Sequence, residues 1–138
     1  MTISLAVTPV CAVAEVMHAG GNVSLGAHGQ VQGFGPHWEL WAMAGEGAPK
    51  GMTAMTPHEA LRASTILAAD KIGFAPDLGS IEAGKLADFV VLDANPLEDI
   101  HNSLKIHYVV KNGEVYEGET LTKEWPTQQT LPRFFWSE

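Results

Sequence analysis

The stretch GGNVSLGAHGQVQGFGPHWELW, Gly20–Trp41, constrains this chain more than any other. Its short apolar run, Asn22–Ala27, reads as a buried strand. The run stops at His28-Gly29, passes through a loop carrying Gly29, Gly33, Gly35 and Pro36, and enters a helix near His37. In parallel α/β proteins, ligands sit where strands end and the following loops begin. A strand that ends on an imidazole and opens a glycine-rich loop is therefore the first place to look for chemistry.

Upstream, Ile3–Val7 is a short β-branched and apolar run, predicted as a strand that ends at Thr8-Pro9. Val10, Val13, Ala14, Met17 and Ala19 then recur at helical spacing, and Gly20-Gly21 supplies a left-handed stop. Strand, helix, strand is the pattern of a right-handed βαβ unit in a parallel sheet. Downstream, Thr56 as N-cap, Pro57 at the first helical position and Glu59 for a capping box start one helix running to about Ile72. After Gly73 the character changes. Leu78–Lys85 is turn-rich, and Ala87–Asp93 reads as a strand buried on both faces. Ile106–Lys111 and Glu114–Tyr116 flank Asn112-Gly113, a type I′ hairpin signal. The division expected is residues 1–75, 76–118 and a tail of 119–138 ending in Arg133-Phe-Phe-Trp136, whose aromatics need cover.

Composition excludes several function classes. The 138 residues carry a formal net charge of −8 with scattered Lys and Arg, whereas nucleic acid and anionic membranes demand a basic face. One cysteine, Cys11, rules out an intrachain disulfide framework. No apolar run is long enough to span a bilayer. The start, MTISLAVTPVCAVAEVM, lacks a basic n-region and is broken by Pro9 and Glu15, so it does not read as a removable signal. It opens on core-like sequence, as if in the middle of a larger fold, and the compartment stays open.

Several blocks together resemble the C-terminal end of the amidohydrolase superfamily, metal-dependent hydrolases built on a (β/α)8 barrel with an accessory β-sandwich. They are MTPHEAL (Met55–Leu61) followed by Ala63-Ser-Thr65, LGSIEAGKLADFVVLD (Leu78–Asp93), Asn95-Pro96-Leu97 and VVKNG (Val109–Gly113). LGAHGQ, GPHWELW and PRFFW resemble most the branch often fused to a TolB-like propeller. The resemblance implies an α/β plus β chain: the last βαβα part of the barrel, then the C-terminal strands of a composite sandwich. Asn22–Ala27 would be the last barrel strand.

The resemblance also implies that the chain is a fragment. The family's metal ligands begin with a His-x-His pair on the first barrel strand, and no His-x-His occurs here. At the end of the eighth strand the family usually carries an aspartate; the matching position is His28. An imidazole can ligate a divalent metal or shuttle a proton, but it brings no negative charge. His28 is thus the catalytic and metal-ligating candidate, with Gln30 and His37 as looser substrate contacts.

Each candidate has a plainer alternative. His28 could be satisfied by backbone in a loop, and His37 could simply open a helix. Glu39 could orient a histidine, yet acidic residues favour a first helical turn anyway. Trp38, Trp41 and Met43 read as core, Cys11 as buried filler, His58 as solvated, and Asp88 and Asp93 as strand ends. The parent activity implied is hydrolysis of a C–N bond in a small amide, peptide or cyclic amide, through water activated by a divalent metal, most simply zinc. The chain alone is expected to bind no catalytic metal, which takes three or more protein ligands. The rival reading is a non-enzymatic, self-assembling piece. Barrel strands cut from their neighbours expose edges, so a homo-oligomer or element exchange is expected.

Overall fold

The computed structural model describes residues 8–29 and 31–132. The expected strand Ile3–Val7, the candidate Gln30 and the aromatics of Arg133–Trp136 lie outside the described residues. Four helices come first: α1 (Thr8–His18), α2 (Phe34–Met43), α3 (Pro57–Ser64) and α4 (Ile66–Lys71). A four-stranded sheet follows: β1 (Phe89–Leu92), β2 (Ile106–Lys111), β3 (Glu114–Glu117) and β4 (Lys123–Trp125), with a 3₁₀ turn, η1 (Ile100–Leu104), between β1 and β2.

Local signals explain the helix boundaries. At the end of α1, Gly20 has φ 88°, its N–H reaches Met17 O, and the Gly21 N–H reaches Val16 O. That is the Schellman pattern, which closes a helix by satisfying two orphan carbonyls. Gly45 closes α2 in the same way, through Ala42 O and Trp41 O, and a side chain there would strike the Ala54 methyl at 2.8 Å. The Thr56/Glu59 capping box opens α3 as expected.

The single helix expected from Thr56 to Ile72 is in fact two. Thr65 sits between them with φ −127° and ψ −98°. Ser64 Oγ donates to Ala60 O and Thr65 Oγ1 to Leu61 O, both at 2.8 Å. Such hydroxyls compete for the carbonyls of the preceding turn and bend helices. Gly79 packs into the break: a β-carbon on it would lie 2.9 Å from Ile66 Cα and 2.7 Å from the Ala69 methyl.

The larger correction concerns Asn22–Ala27. It is not a strand, and no parallel βαβ unit occurs among the described residues; the one sheet is antiparallel, in the order β1-β2-β3-β4. A strand exists only by pairing, and among the described residues no backbone lies alongside to accept a ladder. The run is nevertheless held. Val23 enters the core with Ala14, Leu40, Met43, Met55, Ala60, Ala63 and Ile100, and Cys11 is buried as expected, its Sγ 3.9 Å from Met52 Sδ.

The sheet is thinly covered. β1, expected to be buried on both faces, leaves Phe89, Val90 and Val91 exposed at 37%, 51% and 39%. An all-apolar strand needs a layer on each side; among the described residues β1 pairs with β2 along one edge only. The hairpin stands as expected: Lys111 faces Glu114 across Asn112 and Gly113, whose φ values of 51° and 78° are those of a type I′ turn.

Candidate functional site

The segment leading to His28 is fixed by side-chain and helix-end bonds in place of a ladder. Asn22 Nδ2 donates to Asp70 Oδ2 at 2.9 Å, anchoring its start to α4. The Leu25 N–H reaches Ala63 O, near the end of α3, at 3.2 Å. The Gly26 N–H points at the Glu39 carboxylate on α2, 3.1 Å from each oxygen. Backbone polar groups of an extended run need partners; α3 and α2 supply them to Leu25 and Gly26, while α4 holds the Asn22 side chain.

The chain then turns sharply. The His28 N–H donates to Gly26 O at 2.7 Å, and the Gly29 N–H turns back onto Ala27 O. His28 takes φ 30°, a left-handed conformation uncommon for a residue with a β-carbon. Its side chain is exposed, so the imidazole is offered to solvent at the mouth of the glycine loop.

His37 is placed differently. Its Nδ1 lies 2.9 Å from Ser103 Oγ, and Trp41 Nε1–H donates to the same oxygen at 3.0 Å. Ser103, on η1, is only 6% exposed. A hydroxyl accepts the indole N–H and still has its own proton to give, which suits a neutral His37 with Nδ1 as acceptor. Burial pushes the His37 pKa below its ordinary value, consistent with that form. Among the described residues no hydrogen bond joins His28 to His37. The structure therefore places the two histidines at different stations: one on the open turn, one in the joint between α2 and η1.

That joint contains groups that sequence reasoning passed over. His101 Nδ1 lies 2.8 Å from Asp99 Oδ1 and its Nε2 lies 3.1 Å from Glu46 Oε2. The hydrogen bond to Asp99, with the one to Glu46, holds the imidazole pKa above its usual value. The only local signal was Asp99, whose side chain accepts the His101 N–H as the cap of η1. The Glu46 partnership belongs to the packing of α2 on η1 and leaves no trace in spacing. A shallow cavity of about 220 Å³ lies beside it, lined by Trp38, Trp41, Ala42 and Glu46.

Asp88 and Asp93 act as strand-end residues, in line with expectation. The Asp88 carboxylate accepts the Asn112 N–H at 2.6 Å and pairs with Lys111, which hold its carboxyl below the usual range. Asp93 bonds His107 Nδ1 at 2.8 Å. Catalytic metal sites need three or more protein donors. Among the described residues no group of three His, Cys, Asp or Glu side chains converges on a point where an ion could sit. His28 could supply one donor; the described residues do not make a complete metal centre.

These features fall within a known class. The Amidohydrolase family profile matches residues 2–116, and the chain belongs to that family. Among its relatives, imidazolonepropionase of Shouchella clausii is 44% identical over 79 residues, covering 54% of this chain and 18% of the relative. N-substituted formamide deformylase of Arthrobacter pascens is 40% identical over 91 residues, covering 62% of this chain and 17% of the relative. A solved Xaa-Pro dipeptidase superposes with a TM-score of 0.68 at 29% identity, covering 83% of this chain and 27% of that one. Aspergillus niger ochratoxinase gives 0.62 at 31% identity over 79% of this chain and 24% of its own. These neighbours are (β/α)8 amidohydrolases, a superfamily that is generally metal-dependent. The chain spans between 17% and 27% of the lengths of these four.

Proposed function

We propose that the chain serves as the C-terminal portion of a metal-dependent amidohydrolase that hydrolyses C–N bonds in small amides, peptides or cyclic amides. Bound elsewhere in such an enzyme, a divalent metal such as zinc supplies water ionised near neutral pH. The share of this chain is one wall of the site. His28 contacts metal or substrate from the turn after Ala27, and Gln30 contributes on the substrate side; His37, expected beside them, is turned to Ser103 and holds α2 instead. The sheet at β1–β4 is the returning part of a composite sandwich, and the His28-Gly29 pair belongs with the propeller-fused branch. The observation that carries this reading is the stapling of residues 22–26 to three helices, which positions the turn that presents His28.

Two experiments test it. The isolated chain, assayed with amides and dipeptides alongside metal analysis, should show neither turnover nor stoichiometric metal. Exchanged for the matching C-terminal segment of the Shouchella imidazolonepropionase, it should support activity that His28→Ala lowers about a hundredfold or more, the scale of losing a positioned acid–base group. An active chimera indifferent to His28→Ala would sink the assignment.

A second reading, a self-associating piece without catalysis, is favoured by the exposed apolar side chains of β1 and by its outer edge, which no strand among the described residues pairs. A homo-oligomer seen by size-exclusion chromatography with light scattering would support it.

A further inference from the structure

We infer that Glu39 is a positioning residue for the His28 turn, and that α2 is the bar through which η1 holds that turn. Gly26 is bonded at both of its peptide groups. Its N–H is received by the two Glu39 oxygens at 3.1 Å, and its carbonyl receives the His28 N–H at 2.7 Å. One residue therefore separates the carboxylate from the backbone of the histidine. Gly26 is exposed and a β-carbon added to it would meet nothing within 4 Å, so this contact, with the Leu25–Ala63 bond one residue earlier, sets where the turn begins.

The helix that carries Glu39 is itself gripped from the other side. His37 and Trp41, one turn apart, share a face and both bond Ser103 Oγ. Glu39 lies two positions from each, about 200° around a helix of 3.6 residues per turn. One face of α2 is thus fixed to the buried Ser103, and the opposite face holds Gly26. Since the Gly26 N–H is received by Glu39 on α2, the orientation of the His28 backbone depends on where α2 sits.

Amide hydrogen exchange followed by NMR on the full chain tests this without reference to activity. In the wild type the exposed Gly26 amide should exchange at least about tenfold slower than an unstructured glycine, as one charge-assisted bond implies. Glu39→Ala should abolish that protection and shift the His28 ring resonances, while Ala60 in the core keeps its protection. Glu39→Gln, which retains an acceptor oxygen, should restore most of both. An unprotected wild-type Gly26 amide would overturn the inference, and this reading needs no variant to fold. A His28 signal unmoved by Glu39→Ala would overturn it equally. The catalytic consequence rests on the proposed role of His28. In the active chimera, Glu39→Ala should lower kcat with little change in KM, and Glu39→Gln should recover it. An inactive chimera with a protected Gly26 amide would count against the proposed function and leave the positioning intact.

Discussion

The indole of Trp41 and the imidazole of His101 lie with ring centroids 4.4 Å apart and planes inclined by 45°. This contact seals α2 against η1, and His101 reaches from it to Glu46 and Asp99. With two carboxylates as partners, both ring nitrogens must donate, so the contact is strongest with His101 charged.

The pH dependence follows from that. The Asp99 hydrogen bond, with Glu46, raises the His101 pKa. The stability this contributes is fully present below the unfolded value of about 6.5 and is lost as pH rises through the raised folded value. Urea midpoints measured from about pH 6 to about pH 9 should fall on the alkaline side, and His101→Gln should flatten that fall. His37 runs the other way. Burial lowers its pKa, so its neutral form is favoured in the fold, and stability drops as pH falls below the unfolded value.

Ser103→Ala removes the one oxygen shared by His37 and Trp41. A half-buried indole N–H left without an acceptor should cost roughly 1–3 kcal/mol. Denaturant titration should register the loss, with a change in Trp fluorescence because Trp41 changes environment.

Gly113→Ala should destabilise the hairpin by roughly 1–2 kcal/mol, the penalty of a β-carbon in left-handed backbone. The position has φ 78°. The variant should lower the thermal midpoint; an unchanged midpoint would mean the β2–β3 turn does not govern folding.

Thr56→Ala breaks the capping box that holds Glu59 and should cost about 1 kcal/mol. The Glu59 carboxyl is held low, first by the Thr56 N–H. Thr56→Ala keeps that N–H but removes the Thr56 hydroxyl, the second group that lowers the carboxyl. The hydroxyl's contribution is present above the unfolded pKa and lost as pH falls through the folded value, so that part of the wild-type advantage should shrink in acid.

Val90→Lys places a charge on the exposed, apolar edge strand β1. Edge lysines block strand addition, so any oligomer formed through β1 should shift toward monomer in light scattering. An oligomer unaffected by the change must associate elsewhere.

Short-range physics was legible in the residues. Gly20, the Thr56-Pro57-Glu59 cap and the Asn112-Gly113 turn each bring their own bonding partners within a few positions, and each folds as expected. The Thr65 break was also local, but two hydroxyls bonding backward look like ordinary helix residues until Gly79 packs against them. What only the folded chain decided is where distant groups meet. An extended run such as Asn22–Ala27 announces its conformation but not its partners; among the described residues they are Asp70, Ala63 and Glu39. Nor does spacing reveal that His37 turns to Ser103 while His28 faces solvent. Hydrogen bonds and ring contacts between elements depend on how whole helices pack, and packing is a property of surfaces that periodicity does not carry.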